Sequence, residues 1–282
     1  MKTIVFLGTG LLGSGFVSAM LLGGIPVRVW NRTISKTASL EEDGAIVFSR
    51  PDIAIEGAEL IHIALKDDES VDEVLAAARP VRGQIIIDHT TTSREGAIKR
   101  TSYWKENGVI YQHAPVLMGP ANARASTGIM LISGNRDTVK LLAPYLSGLT
   151  GKLIDLGEET GKAAAIKLAG NAFLVCFTFG LREVMGIAKS LDLTPGDLQD
   201  LFKEWNPAAM TANRLERLSS KAHVEPSWEL SMARKDTGLF LQAADRYGME
   251  LTLLPGIAEV MDLWISMGYG HHDWTVVGQD FR

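Results

Sequence analysis

Cysteine is nearly absent from this chain of 282 residues: Cys176 is the single one. A lone cysteine cannot close a disulfide within the chain, so a disulfide framework of the kind that holds small secreted domains is excluded. Cys176 lies in an uncharged stretch and is expected to be a small core side chain rather than a nucleophile. Basic clusters are missing too. Lys and Arg total 28 against 33 Asp and Glu, and they are dispersed. That argues against a nucleic-acid surface and against docking on an anionic membrane. The longest uncharged run of the second half, residues 168–181, is short and glycine-interrupted for a membrane span. At the other end, MKTIVFLGTGLLGSGFVSAMLLGG has the lysine, the apolar run and the "VSA" of a secretory signal. Glycines break the run and a second strand pattern follows at once, so it reads as the start of the fold and the protein as cytoplasmic. Neither a Walker loop nor a Gly-x-Ser-x-Gly elbow is present. His271, His272 and Asp273 are adjacent but lack a second cluster, so no metal site is expected. No internal repeat or low-complexity segment appears.

What the chain does have is alternation. TIVFLG, PVRVW, AIVF, LIHIAL, QIIIDHT, VIYQHAPV and GIMLISG read as strands, most of them separated by helical patterns. Strands alternating with helices imply βαβ units and a mainly parallel sheet covered on both faces, an α/β class of fold. From Gly161 the character changes. A long helix over about 161–190 is followed by segments with apolar residues at three- and four-residue spacing. The expected organisation is a Rossmann domain over 1–160 and an all-helical domain over 161–282, joined by the long helix, with the active site between them.

FLGTGLLGSG carries Gly8, Gly10 and Gly13 as GxGxxG directly between a strand and a helix. Gly8 permits the tight turn, Gly10 lets the backbone approach a pyrophosphate, and Gly13 lets the helix pack close to the strand. The helix N-terminus adds unpaired N–H groups and partial positive charge, so a dinucleotide site is expected. The end of the second strand selects the dinucleotide. It reads VWNRTISK, with neutral Asn31, cationic Arg32, and Thr33 and Lys36 beyond, in place of the Asp or Glu that would bind a ribose hydroxyl. Arg32 can hold a 2′-phosphate and stack on adenine, so the pattern favours NADP over solvated surface charge.

GKAAAIKLAGN, residues 161–171, puts Lys167 and Asn171 on one helix face within an otherwise apolar stretch. A lysine in a dry cleft has a lowered pKa and can act as general acid to a carbonyl oxygen, or as base to a hydroxyl in reverse. A lysine snorkelling to solvent is the competing reading, and spacing alone does not separate the two.

Four blocks together resemble the β-hydroxyacid dehydrogenase family, the group of 3-hydroxyisobutyrate dehydrogenases and glyoxylate/succinic semialdehyde reductases. They are FLGTGLLGSG, DHTTTS at 88–93, GKAAAIKLAGN, and ARKDTGL with Lys235 and Asp236. The resemblance implies an all-helical C-terminal domain like that of 6-phosphogluconate dehydrogenase. It implies that Lys167 is the acid/base, that Asn171 assists it, and that Thr90 and Thr91 fill the hydroxyl positions near nicotinamide ribose and substrate. It also implies that Lys235 reaches the cofactor and that Asp236 helps fix its helix. Leu11, Leu12 and Leu65 join the cofactor set, and Gly119 the substrate set. A homodimer or higher homo-oligomer through the helical domain is expected, because isolated amphipathic helices carry much apolar surface and the resemblance agrees.

Departures from the pattern bear on the substrate. HAPVLMGP, residues 113–120, places Leu117 and Met118 where the family has a Ser-Gly pair that helps hold the substrate carboxylate. A charged carboxylate is costly to bury unpaired. Either Arg94, Arg124, Asn122 or Thr92 holds it, or the substrate has no carboxylate there. Ala163 replaces the second glycine of the lysine block, and Arg94, in place of a proline, reads as surface. His62, His89 and His113, near strand ends, read as hydrogen-bonded structural residues; Trp205, Trp228 and Trp264 read as helical core or dimer contact. The function expected is NADP-dependent hydride transfer between a small β-hydroxyacid or hydroxy compound and its aldehyde or keto form. The alternatives are an imine reductase of related architecture, favoured by Leu117 and Met118 but opposed by Lys167, and a non-catalytic NADP-binding module.

Overall fold

The computed structural model describes residues 3–220 and 223–281. It divides into two compact units, Met1–Ala172 and Phe173–Arg282.

The first unit begins β1 (Ile4–Leu7), α1 (Leu11–Leu22), β2 (Val27–Trp30), α2 (Ala38–Glu42), β3 (Ile46–Phe48), α3 (Pro51–Ala54), β4 (Leu60–Ile63) and α4 (Asp68–Ala78). It continues with β5 (Ile85–Asp88), α5 (Arg94–Glu106), β6 (Ile110–His113), β7 (Val116–Leu117), α6 (Pro120–Arg124), β8 (Ile129–Ile132), α7 (Arg136–Leu146) and β9 (Lys152–Asp155). Six strands pair in the order β3-β2-β1-β4-β5-β6, all parallel. Their short apolar runs are what a sheet covered on both faces requires. Phe6 packs with Phe16, Val17 and Met20 on one side, while Val5 and Leu7 pack with Ile61, Ile63 and Val71 on the other. This is the period-two alternation of a strand. A second sheet joins β7 to β8 antiparallel and β8 to β9 parallel. In the six-stranded sheet the winding reverses at β1, whose neighbours are β2 and β4. A crevice at the strands' carboxyl ends is the expected ligand position at such a point.

α8 (Lys162–Ser190) runs on into the second unit, which contains α9 (Pro195–Glu204), α10 (Thr211–Ser219), α11 (Leu230–Arg246) and α12 (Leu254–Trp264). Leu230, Ala233, Met261, Trp264 and Val276 form its core. The buried Glu183 of α8 accepts the N–H groups of Thr252, Leu253 and Leu254 at the start of α12, satisfying amides that a helix N-terminus leaves unpaired. Asp273, fully buried, accepts bonds from Arg217 at 2.7 Å and from Ser227 and Thr275. Against burial, which pushes it up, the Ser227 and Thr275 bonds hold its carboxyl far below the usual carboxylate range.

Two particulars differ from the sequence reading. The units part within α8 rather than near residue 160, because the first turns of that helix are buried at Ala163, Ala164 and Lys167. Cys176 is exposed, not core. Of the three tryptophans read as helical core or dimer contact, Trp264 is buried and Trp205 and Trp228 are exposed. By length and composition alone α8, 29 residues with a mean hydropathy of 1.6 over its most apolar window, could cross a membrane.

Candidate active site

At the carboxyl ends of β1, β2, β4 and β5 lies a cavity of about 610 Å³. The glycine loop forms its floor. Gly8 has φ of +97°, and a Cβ there would stand 2.4 Å from the carbonyl oxygen of Ala64. A Cβ on Gly13 would lie 2.0 Å from the oxygen of Gly8, so only glycine allows α1 to start this close to the strand. Around Gly10, by contrast, no atom beyond the local chain lies within 4 Å of a Cβ position, and Gly10 lines the cavity. The first turn of α1 has no acidic residue and its N-cap, Gly10, has no side-chain bond to offer. The N–H groups of Leu11 and Leu12 are left for a ligand, and a helix N-terminus prefers an anion.

The wall beside this floor comes from β2 and the segment after it. Asn31, Arg32, Thr33 and Lys36 all line the cavity, as do Leu11, Leu12 and Leu65. Asn31 is tied down: its Oδ1 accepts the N–H of Thr9 at 3.1 Å and its Nδ2 donates to the carbonyl of Thr33 at 2.8 Å. Arg32 is exposed and makes a loose ion pair with Glu73 at 3.8 Å. Such a surface pair costs little to exchange for another anion. Glycine loop, free amides and an available guanidinium together fit the diphosphate and adenosine phosphate of a dinucleotide.

The opposite wall carries Thr90, Thr91, Val116, Met118 and Lys167. The segment 88–93 is heavily pinned. Asp88 accepts the N–H of Thr90 at 2.8 Å and the hydroxyl of Tyr111 at 2.5 Å. Thr90 Oγ1 accepts the N–H of Leu65 at 3.0 Å, and Thr92 and Ser93 have partners as well. Thr91 is exposed, and among the described residues its hydroxyl has no partner in the chain. Lys167, 8% exposed, donates from Nζ to Asn171 Oδ1 at 2.9 Å. Burial pulls its pKa down from the ordinary lysine value.

Some expected residues lie elsewhere. Asn171 touches the cavity only through Lys167. Leu117 points toward Gly170 on α8, and the N–H of Gly119 is bonded to Asn122 Oδ1 at 3.2 Å at the start of α6. Lys235 is on α11 in the second unit, exposed and paired with Asp236 at 2.7 Å. The proposed carboxylate anchors are mostly engaged: Arg94 with Glu159 at 2.8 Å, Asn122 with Gly119 and Thr127, Thr92 with His113. Arg124 is exposed outside the cavity lining. Sequence reasoning missed Thr9, Ser70, Val74 and the cavity-lining role of His89. The position of α4 directly after β4 was the available signal for Ser70 and Val74; nothing local marked His89.

Residues 3–157, more than half of the chain, match the NAD-binding domain of 6-phosphogluconate dehydrogenase. The chain belongs to that family, and within it to the β-hydroxyacid dehydrogenases, a class of NAD(P)-binding oxidoreductases. An uncharacterised oxidoreductase of Bacillus subtilis is 26% identical over 279 residues, covering 97% of this chain and 98% of its own. A probable 3-hydroxyisobutyrate dehydrogenase of Mycobacterium tuberculosis is 26% identical, covering 97% and 95%. The chloroplastic glyoxylate/succinic semialdehyde reductase 2 of Arabidopsis thaliana is 25% identical, covering 98% and 78%. In fold, an imine reductase from Myxococcus stipitatus in complex with NADP+ matches over the full length of both chains, with a TM-score of 0.92 at 20% identity.

Proposed function

We propose that this oxidoreductase uses NADPH to reduce the carbonyl of a small aldehyde or keto compound, with Lys167 as the general acid. The observation that carries the reading is a buried ammonium on the wall of the cavity whose floor is the glycine loop. When bound, NADPH supplies the hydride. The chain's own groups do the rest. The amides of Leu11 and Leu12 take the diphosphate, Arg32 and Lys36 take the 2′-phosphate, and the hydroxyl of Thr91 is free to bond ribose or substrate. Lys167 gives the proton from Nζ to the carbonyl oxygen, and Asn171 aims the ammonium through its 2.9 Å bond. The lowered pKa makes that proton easier to release. The absence of a carboxylate at the end of β2 supports NADP, and solved structures of the same fold hold NADP+ or NADPH.

Two observations favour substrates without a carboxylate at the Leu117–Met118 position. Met118 lines the cavity with an apolar side chain, and Arg94, Asn122 and Thr92 are engaged elsewhere. An imine or an uncharged aldehyde suits that wall better than an anion. The test is the rate of NADPH oxidation with glyoxylate, succinic semialdehyde, an uncharged short aldehyde and a cyclic imine, with NADH as control. A lead for the uncharged substrates in kcat/KM supports this reading. A lead for the anions by orders of magnitude overturns it for the substrate while keeping the reaction.

We also propose that a second copy of the chain covers α8. Phe173, Leu174, Val175, Phe177 and Phe179 are all exposed on it, and patches of this size on a soluble chain mark interfaces. The buried Glu183 carboxylate on the same helix counts against a bilayer. A solution mass by light scattering equal to twice the chain or more is expected; a monomer contradicts it.

A further inference from the structure

Two wholly buried histidines stand beside the cavity without a part in the proton transfer. His62 on β4 is 0% exposed and His89, just after β5, is 2% exposed. His89 Nδ1 lies 2.8 Å from the carbonyl oxygen of Ala114. A carbonyl can only accept, so Nδ1 carries the hydrogen and Nε2 of the neutral ring is an acceptor. His62 Nδ1, 3.0 Å from that Nε2, must donate to it. His62 Nε2 is then the acceptor for the hydroxyl of Tyr145 at 2.8 Å. The bonds therefore run in one direction, from Tyr145 to His62 to His89 to the Ala114 carbonyl. A proton added to His89 would set two hydrogens against each other between the rings, whereas the Tyr145 hydroxyl could turn to accept from a protonated His62, so burial rather than bonding keeps that ring neutral.

Burial keeps the pair neutral, against the nearby Asp88 carboxylate, which favours charge on His89. Phe6 of β1 stacks on His62 at 5.5 Å between ring centres, and Phe16 of α1 stacks on His89 at 4.8 Å. The titratable and charged groups that face them are Asp88, His113 from β6, and Tyr145 from α7. Asp88 is occupied by Tyr111 and Thr90, and His113 by the Thr90 carbonyl at 2.9 Å.

We propose that Tyr145, His62 and His89 form a brace that positions both faces of the substrate end of the cavity. His89 leads directly into Thr90 and Thr91, and its own N–H is fixed on the Ile63 carbonyl at 2.8 Å. Its ring holds Ala114, from which the chain enters Pro115–Met118, with Val116 and Met118 on the cavity wall. One side chain thus sets the spacing between the free Thr91 hydroxyl and the apolar wall, as a supporting shell must for a reacting group. The brace is not a proton path to substrate, because it ends on a carbonyl that has no proton to pass. All three are positioning residues. The catalytic readout rests on the function proposed above; the structural readout does not.

The test compares the wild type with His62→Phe, which keeps a stacking ring and removes both bonds, and Tyr145→Phe, which removes only the first hydroxyl. Amide hydrogen exchange is followed in the segments 88–93 and 114–118 and in the β1–β2 core, alongside NADPH affinity, kcat and KM. For His62→Phe, exchange should rise about tenfold or more in the two segments beyond any rise in the core. On the substrate panel, kcat should fall about tenfold to a hundredfold while NADPH affinity stays within about threefold. Tyr145→Phe should change both in the same direction by less. If His62→Phe does not fold, Tyr145→Phe decides alone. Exchange that is unchanged, or raised equally in core and segments, overturns the brace. If no substrate turns over, the function proposed above fails, and the exchange data still decide this inference.

Discussion

Asn31 stands where an NAD enzyme commonly carries a carboxylate, and its side chain is spent on structure. By joining Thr9 to the Thr33 carbonyl it ties the glycine loop to the segment that bears Arg32 and Lys36. The cation beside it is left for the ligand. Arg32→Ala should therefore weaken NADPH binding about tenfold to a hundredfold, the range for losing a hydrogen bond to a charged group. NADH affinity should change within about threefold. Fluorescence titration with both cofactors checks this, and equal losses would show that Arg32 does not read the 2′-phosphate. At this scale much was legible. The glycines, Asn31, Arg32 and Lys167 declare themselves by position in a pattern. His62 and His89 are the hydrogen-bonded structural residues that the sequence suggested, but their partners were not legible because they are remote: the two histidines are 27 residues apart, and Tyr145 lies 83 residues from His62. No local spacing encodes a bond that only the sheet order creates.

Among the elements, the joint between β1 and α1 is the one the sequence specified most closely. The helix can begin at Leu11 only because Gly13 lacks a side chain. In Gly13→Ala the new Cβ would collide with the Gly8 carbonyl, which is backbone and cannot swing aside. The helix start must shift, at about 1–3 kcal/mol for a forced fit of this kind. Thermal unfolding should move down and NADPH binding should be lost with it; unchanged affinity would contradict the packing argument. α8 shows where element-scale reading fell short. Its length was legible, but its apolar composition suggested a buried Cys176, and the structure exposes that residue. Apolar periodicity reports that a surface will be covered, not whether the cover lies within the same chain. The same ambiguity displaced the boundary between the units, since the first turns of α8 belong to the first unit's packing and the remainder does not.

For the whole molecule, the buried histidines set a pH dependence whose sign is fixed. Burial pushes the His89 pKa down to about 4 and holds that of His62 well below the ordinary histidine value. In the unfolded chain both return to about 6.5, so below that pH the unfolded state binds more protons. Stability should be level above about pH 7 and fall as pH drops from about 6.5 toward 4, at about 1.4 kcal/mol per unit for each group. Asp67 and Asp155, held down to about 2, extend the loss below pH 4. Urea unfolding at pH 7.5, 5.5 and 4.5 checks this; a flat profile would mean the histidines are not neutral in the fold. The α/β-then-helical plan of the molecule was legible from alternation alone. The second, three-stranded sheet was not, because β7 is only two residues long and continues the strand pattern of β6.

Proton donation by Lys167, with the glycine loop and Arg32 holding the cofactor as proposed above, is checked by Lys167→Ala, with NADPH affinity and turnover measured on the same preparation. The account predicts NADPH binding within about threefold of wild type and kcat/KM reduced about a hundredfold to ten-thousandfold, the usual worth of a general acid. Full activity in that variant would contradict it.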